Sequence, residues 1–390
     1  YILKYVEQRD LVNRCKIHCS EPVLKLARNG SDWSVLTDGH SYTFDFCVVC
    51  TGMYNVPNVP IANDKTIHSS AFTDASIVAD KHVVVLGAGK SAIDCAVAAS
   101  KQQAASVTLM SRTMHWPVPR YIAGVVPFKW GTYSRLGHFL LPPHWDLSPT
   151  ETFVHGTCGW LKWCVWRLLE CVFSAQFNLS SRPTTPLEVD LFNGGQILTT
   201  EFRDAVESKK ISVTGFSGDD ALESADIVIS ATGFRKNYSI FDDETQLLLG
   251  VEGDGLWLYR NIIPPRVERL AFIGSEVSTF NNILTHHIQA QWLEHMLQFD
   301  ELPPAQEMEI AVQREKEWKR SWMPCTTSRA AAVQLHMTKY HDVLTAEMRR
   351  PLVRSRVWEW IVPHTARDYC MATTGAPVSC TRTMAAKPVP

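Results

Sequence analysis

His82–Asp94 reads HVVVLGAGKSAID, and this stretch decides the fold. His82–Leu86, with four apolar residues in a row after His82, is a short run of the kind that a buried parallel strand carries on both faces. Gly87-Ala88-Gly89-Lys90-Ser91-Ala92 follows at once and fits G-x-G-x-x-A. In such a turn the first glycine permits the sharp bend and the second lets backbone amides approach a pyrophosphate. The small third residue, Ala92, brings the helix close to the sheet. An Ala-rich helix is expected over Ser91–Ser100 and a second strand over Ser106–Met110, which completes one βαβ unit. The phosphates of a dinucleotide would sit at the positive end of that helix, on Gly87, Gly89, Lys90 and Ser91.

The end of the second strand selects the nucleotide. A carboxylate there would accept from a ribose 2′-hydroxyl, but this chain reads SVTLMSR from Ser106 to Arg112. Arg112 is placed to bind a 2′-phosphate with charge-assisted hydrogen bonds, so the sequence predicts NADPH rather than NADH.

Outward from this unit, Tyr1–Val12 reads as helix, and Lys16–Leu26, Asp32–Leu36 and Tyr42–Cys50 as strands with turns at Asn29-Gly30 and Asp38-Gly39. Pro117–Pro149 reads as irregular. Helix is expected at Gly159–Phe177, Thr200–Ser208 and Leu284–Gln298, and strand at Ile211–Val213, Asp226–Ala231 and Leu270–Gly274. Two strands end alike: DFCVVCTG closes on Thr51-Gly52 and DIVISATG on Thr232-Gly233. Glycine at a strand end permits close backbone approach to a ligand, so both pairs are candidate cofactor contacts.

With 390 residues, 45% of them apolar and 20% charged, the chain is long enough for two domains. A net charge of −2 gives no electrostatic reason to expect nucleic acid as partner. Cys47 and Cys50 form a CxxC within the run read as one strand, where residues three apart face opposite ways, and no second CxxC supports a zinc site. Small buried thiols in a reducing compartment are the expectation, with no metal. Gly156–Phe177 is the most apolar stretch, but Lys162, Arg167 and Glu170 interrupt it. A helix covering a domain or a substrate channel is expected there, in preference to one resting on a membrane surface.

These segments, in order, resemble the flavin-containing monooxygenases from Tyr1 to about Met348. The matching stretches are Asp45–Pro60 (DFCVVCTGMYNVPNVP), Gly87–Asp94, and Arg112 with Trp116, Pro119 and Arg120. Asp226–Phe234 (DIVISATGF) and Leu258–Gly274 followed by Ile288–Leu293 (IQAQWL) complete the set. Of the family's motif F-x-G-x-x-x-H-x-x-x-[F/Y], His68 and Phe72 are present, while Ala62 and Asp64 replace the Phe and the Gly. Phe72-Thr73 stands where Baeyer–Villiger relatives carry Trp-Pro or Trp-Asp, which favours oxygenation of a heteroatom.

The resemblance implies an α/β protein with two dinucleotide-binding (Rossmann-like) domains, the NADPH domain being inserted in an incomplete FAD domain. The expected divisions are 1–77 and 216–300 for the two parts of the FAD domain and 78–215 for the NADPH domain. A helical region at 301–365 and a disordered tail at 366–390 follow. It also implies FAD and NADPH as cofactors, with no FAD glycine loop in this chain and hence an N-terminally truncated member. In the family, NADPH reduces FAD, oxygen forms a C4a-hydroperoxide, and a nucleophilic nitrogen or sulfur of a small amine or sulfide takes one oxygen atom of O2. Gly274 resembles the family's late flavin contact, and Asn281 and Asn282 are candidates to face the flavin ring. The cytoplasm, or the cytosolic face of an internal membrane, is the expected location. The alternatives are a truncated non-catalytic NADP-binding remnant and a flavin disulfide reductase-like enzyme.

Overall fold

The apolar run His82–Leu86 lies at the centre of a five-stranded parallel sheet, with Val83, Val84, Val85 and Leu86 all buried. The strand order is Ser212–Gly215, Ser106–Ser111, His82–Leu86, Ile227–Ser230 and Thr66–His68. Ile227–Ser230 pairs with Val83–Leu86 residue for residue, and His82–Leu86 pairs with Ser106–Met110 in the same way. This computed structural model describes residues 2–61, 63–179, 182–193, 196–198, 200–215, 220–278, 281–323, 330–352 and 361–369.

Helix Lys90–Lys101 follows the central strand and buries Ala92, Ile93, Cys95, Ala96 and Ala99 against the sheet. Small residues at this face let helix and sheet approach closely, and Ile229, Val85 and Leu109 fill the core beneath them. From the central strand the chain steps outward to Ser106–Ser111 and Ser212–Gly215, then crosses back to Ile227–Ser230 on the other side. That reversal is a topological switch point, where open α/β sheets bind ligands at the carboxyl ends of the strands.

Thr66–His68 and Ile227–Ser230 belong to this same sheet, so the sheet draws strands from both sides of 77/78 and 215/216. Asp226–Ala231 reads locally as a strand and Thr66–His68 carries no such expectation, and only pairing assigns either to the sheet.

The first part of the chain forms an antiparallel meander of Val23–Asn29, Asp32–Thr37 and Ser41–Phe44. Gly30, at φ 63°, sits in the two-residue turn between the first pair. Three expectations are corrected here. The first strand begins at Val23 and not at Lys16. The expected helix Tyr1–Val12 is two short helices, Ile2–Gln8 and Leu11–Arg14, separated where Asp10 adopts φ 51°. The run Tyr42–Cys50 is two strands: Ser41–Phe44 stays in the meander, whereas Cys47–Val49 pairs in parallel with Leu270–Phe272. Between them Phe46 packs against a different core, which turns the chain out of the first sheet.

Cys50 therefore lies beyond the strand end, and neither it nor Cys47 is disulfide-bonded. Of the described cysteines Cys95 is buried as expected, but Cys15, Cys19, Cys50, Cys164 and Cys171 are exposed.

The 117–149 stretch is less irregular than its composition suggests. Pro117–Pro119 pairs with Gln196–Leu198, Tyr121–Ile122 pairs with Val126–Pro127, and short helices occupy Lys129–Thr132 and Arg135–Phe139. Helix Pro149–Thr157 opens on a capping box of Ser148 and Glu151. The following helix, Gly159–Gln176, buries Trp166 and Phe173 against Trp116, Val118 and Leu187 and leaves Trp160 and Trp163 exposed.

Helices Asn282–Phe299, Ala305–Trp322 and Met337–Glu347 form the C-terminal part. Residues 366–369 are helical and Tyr369 is buried, so the expected tail does not begin at 366. Residues 370–390 and 353–360 lie outside the described residues, as do Ala62, Thr279 and Phe280. Among the described residues no helix is long and apolar enough to cross a membrane.

Candidate functional site

At the carboxyl end of the central strand, Gly87 adopts φ 130°, and a Cβ there would lie 2.5 Å from the carbonyl oxygen of Ala231. Gly87 thus permits two neighbouring strand ends to close on each other. Its N–H donates to the Met110 carbonyl at 2.9 Å, tying the loop to the second strand as well.

Gly89 is the N-cap of helix Lys90–Lys101 with extended backbone (φ −77°, ψ 172°) and no side-chain cap. Its carbonyl accepts from the Ala92 and Ile93 amides, and the space where its Cβ would be is open. The amides of Lys90 and Ser91 point out of the first turn without a protein acceptor among the described residues. Such a terminus carries the positive end of the helix dipole and suits an anion. Ser91 is exposed beside it, and Lys90 is ion-paired with Asp94 one turn on. Ala92 is fully buried, 3.5 Å from the position of a Gly87 Cβ, as close helix–sheet packing requires.

Arg112 follows the second strand directly, exposed and with no hydrogen bond or ion pair among the described residues. Next to it lies a relation with no local sequence signal. Asp190, almost fully buried, accepts from the Trp116 amide at 2.6 Å and lies 2.7 Å from His115 Nδ1. Seventy-four residues separate Asp190 from Trp116, so no spacing rule could have joined them. The carboxylate fixes the segment that carries Arg112.

Thr232-Gly233 lies at the end of Ile227–Ser230, beside the nucleotide loop, but its polar groups have protein partners. Thr232 Oγ1 bonds to the Asn58 carbonyl and to Ser230 Oγ, and Asn58 Nδ2 donates to the Thr232 carbonyl at 3.3 Å. The Gly233 carbonyl accepts from the Asn58 amide at 2.9 Å and from His68 Nε2 at 3.0 Å. A carbonyl partner makes Nε2 the protonated nitrogen, so Nδ1 accepts from Ser70. His68 is therefore a buried clamp on the strand end.

Thr51-Gly52 lies elsewhere, at the end of Cys47–Val49, with Gly52 at φ 68° and open space around it. Together with Asn55, Lys236, Asn237 and Ser275 it forms the polar side of a cleft at the carboxyl ends of the parallel pair Cys47–Val49 and Leu270–Phe272. The cleft encloses about 400 Å³, counting its solvent-filled mouth. Lys236 had no sequence signal as a site residue. Its Nζ donates to the Ser275 carbonyl at 2.5 Å, and burial pulls the ammonium down to about 8.

Gly274, at φ 75°, closes on helix Asn282–Phe299. Its N–H donates to Gln289 Oε1 at 3.3 Å, and a Cβ would meet the His286 ring at 3.1 Å. Gln289 in turn donates to Glu276 Oε1 at 2.6 Å and to the Tyr340 hydroxyl at 2.9 Å. Burial pushes the Glu276 carboxyl up to about 8. Asn281 caps the helix, its side chain accepting from the Leu284 amide at 3.1 Å, and Asn282 is the first helical residue. The Asn281 side-chain oxygen is thus engaged in the cap.

Burial pushes the Cys47 thiol up to about 11 and also raises that of Cys50. A dithiol redox centre needs a thiolate near neutral pH, which this environment opposes.

The sequence matches known proteins over most of its length. The profile of the family described as "Flavin-binding monooxygenase-like" covers residues 1–353. Flavin-containing monooxygenase 3 of Oryctolagus cuniculus is 25% identical over 365 residues, spanning 88% of this chain and 64% of the relative. The chain thus spans a little under two thirds of that relative's length. Among solved structures, OTEMO in complex with FAD and NADP aligns with a TM-score of 0.62 at 14% identity, covering 89% of this chain and 81% of that one. S-allyl-L-cysteine S-oxygenase from Allium sativum aligns with a TM-score of 0.52 at 16% identity, covering 95% and 69%. These likenesses carry the fold, two Rossmann-type units and a helical C-terminal part. With a family profile spanning the glycine loop, the linker histidine and both Thr-Gly strand ends, the chain belongs to the flavin-binding monooxygenase-like family.

Proposed function

We propose that this chain is the NADPH-binding and part of the FAD-binding framework of a monooxygenase that transfers one oxygen atom of O2 to a nucleophilic nitrogen or sulfur of a small molecule. The observation that carries the reading is the glycine loop at the switch point with Arg112 beyond the second strand. Free amides at the start of helix Lys90–Lys101, open space at Gly89 and an unpaired arginine fit a dinucleotide carrying a 2′-phosphate.

For FAD, the fitting feature is the cleft at the carboxyl ends of Cys47–Val49 and Leu270–Phe272, where Gly52 leaves room for close approach. When bound, a flavin supplies the redox and oxygen-activating chemistry that no side chain provides. The residues of this chain bind, orient and support. Gly87 sets the loop, Lys90 and Ser91 present amides to the pyrophosphate, and Arg112 recognises the adenosine end. His68 and Asn58 hold the Thr232-Gly233 strand end against the linker. The Gln289–Glu276–Tyr340 network fixes the Gly274 turn at the flavin side. Phe72-Thr73 supports a nitrogen or sulfur acceptor over ester formation.

Calorimetric titration of the chain with NADPH and NADH, followed by measurement of NADPH and oxygen consumption with added FAD, tests this reading. Tight NADPH binding, weaker NADH binding and FAD-dependent oxygen uptake are expected. Absence of heat with both nucleotides would overturn it.

A further inference from the structure

Helix Met337–Glu347 is bonded on two opposite faces. Tyr340 and Leu344 are buried in the core that also holds Ala271 of the strand Leu270–Phe272. The Tyr340 hydroxyl accepts from Gln289 at 2.9 Å and donates to the Arg260 carbonyl at 2.5 Å, and through Gln289 this face reaches the Gly274 turn. Thr338 and Asp342, four residues apart, lie about half a turn away round the helix. Asp342 accepts two parallel hydrogen bonds from the Arg135 guanidinium, at 2.6 and 3.0 Å, across 207 residues of chain. Thr338 Oγ1 lies 2.9 Å from the His138 ring nitrogens.

Arg135 belongs to the other side of the molecule. After Ser106–Ser111 the chain leaves the five-stranded sheet, and it returns only at Ser212–Gly215. Helix Arg135–Phe139 lies on that excursion, and Leu140 behind it packs on the core of Trp116 and Val118, just beyond Arg112. The junction with the C-terminal helices is mostly polar. His336 Nε2 donates to the Pro142 carbonyl at 2.9 Å, the Trp318 indole to the Pro143 carbonyl at 2.8 Å, and the His364 amide to the Tyr133 carbonyl at 2.8 Å. Its apolar part is one small cluster around Leu141, Phe192 and Trp318. With side chains 22% and 27% exposed, the Arg135–Asp342 pair adds little net stability, because desolvation offsets the attraction. A two-pronged guanidinium–carboxylate contact does fix one geometry. We propose that Arg135 and Asp342 are a positioning pair, which sets the orientation of the nucleotide sheet relative to the Gly274 turn and so the spacing of the two cofactor sites. That those sites take NADPH and FAD rests on the functional reading above, whereas the fixed orientation does not.

The test compares the 390-residue chain with Arg135→Gln, Asp342→Asn and the double variant, in which neither charge is left buried alone. Calorimetric NADP+ affinity should stay within about two-fold of wild type in all three, because neither residue touches the glycine loop. Hydrogen exchange of the amides in Arg135–Phe139 and Met337–Glu347 should quicken about ten-fold or more as the junction opens. The double variant should lose no more protection than either single one, as two members of one pair require. Small-angle X-ray scattering should show a broadened distance distribution in the variants. With FAD added, kcat for NADPH oxidation should fall about ten-fold or more at unchanged KM, since a misplacement of about an ångström is that costly. Wild-type exchange and scattering in a folded double variant would overturn the proposal, as would additive losses of protection in the two single ones. Loss of NADP+ affinity together with the junction would also overturn it, being the mark of a general structural role. A wild-type chain that oxidises no NADPH with FAD would count against the functional reading alone, because exchange and scattering are measured without FAD.

Discussion

Gly87 and Ala231 stand so close that any side chain at Gly87 would lie 2.5 Å from the Ala231 carbonyl oxygen. The two residues end adjacent parallel strands on opposite sides of the switch point, so their contact shapes the mouth of the proposed nucleotide site. The first glycine of the motif is required here by the neighbouring strand as much as by the turn.

Gly87→Ala should destabilise the fold by about 3 kcal/mol or more, because a left-handed conformation and a backbone overlap act together. Gly89→Ala meets open space and an ordinary φ, and should cost less than about 1 kcal/mol. The second variant should instead weaken NADP+ binding, since its methyl group fills the space at the helix start. Chemical denaturation and nucleotide titration of the two proteins separate these effects. Equal stability losses would refute the assignment.

Arg112→Ala removes an exposed side chain with no partner among the described residues, so stability should stay within about 0.5 kcal/mol of wild type. Its preference for NADPH over NADH should fall about ten- to a hundred-fold, corresponding to the loss of a charged hydrogen bond. Dissociation constants for both nucleotides check this, and an unchanged preference would remove Arg112 from the site.

His68→Ala deletes the bond to the Gly233 carbonyl and the edge contact with Phe234 at 4.8 Å. A loss of about 1–3 kcal/mol is expected. His68→Gln, which keeps a donor, should recover part of it in a urea titration. Recovery by glutamine and not by alanine would identify the hydrogen bond as the cause.

Acid should loosen the junction between the 138–146 segment and helix Met337–Glu347. Burial, with neighbouring positive groups, pulls His144 down to about 3 (Lys339 the main charge) and His336 down to about 3 (His144 the main charge). His138 lies well below its ordinary value for the same reason. Each folded pKa is below the unfolded value, so the unfolded chain takes up the proton first. Stability is complete above the unfolded pKa near 6.5 and declines as pH falls from there toward 3, by about 1.4 kcal/mol per unit per histidine. Glu276 acts in the opposite sense, since its raised pKa favours the folded state as pH falls from about 8 toward 4.5. A variant comparison cancels that contribution. His336→Asn, whose amide can still donate to the Pro142 carbonyl, should make the slope of stability between pH 6.5 and 5 shallower by that amount. An unaltered slope would count against a neutral buried imidazole.

What the sequence determined by itself was local. The run His82–Leu86, the glycines after it and the Ala-rich helix specify strand, turn and helix through contacts within a few residues, and Arg112 is fixed by its distance from the strand end. The Thr-Gly strand ends were legible for the same reason, since a glycine with positive φ marks a sharp exit wherever the strand lies. Tertiary structure decided which strands share a sheet. Thr66–His68 and Ile227–Ser230 join the nucleotide unit because they fill the far side of its central strand, and Tyr42–Cys50 divides because Phe46 enters another core. Asp190 beneath His115 and Trp116, His68 on Gly233, and Lys236 on Ser275 came from chain crossings of 39 to 165 residues. Periodicity and propensity act over one or two turns of chain. Partners at such separations are chosen by the packing of whole elements, so their identity emerges only when those elements meet.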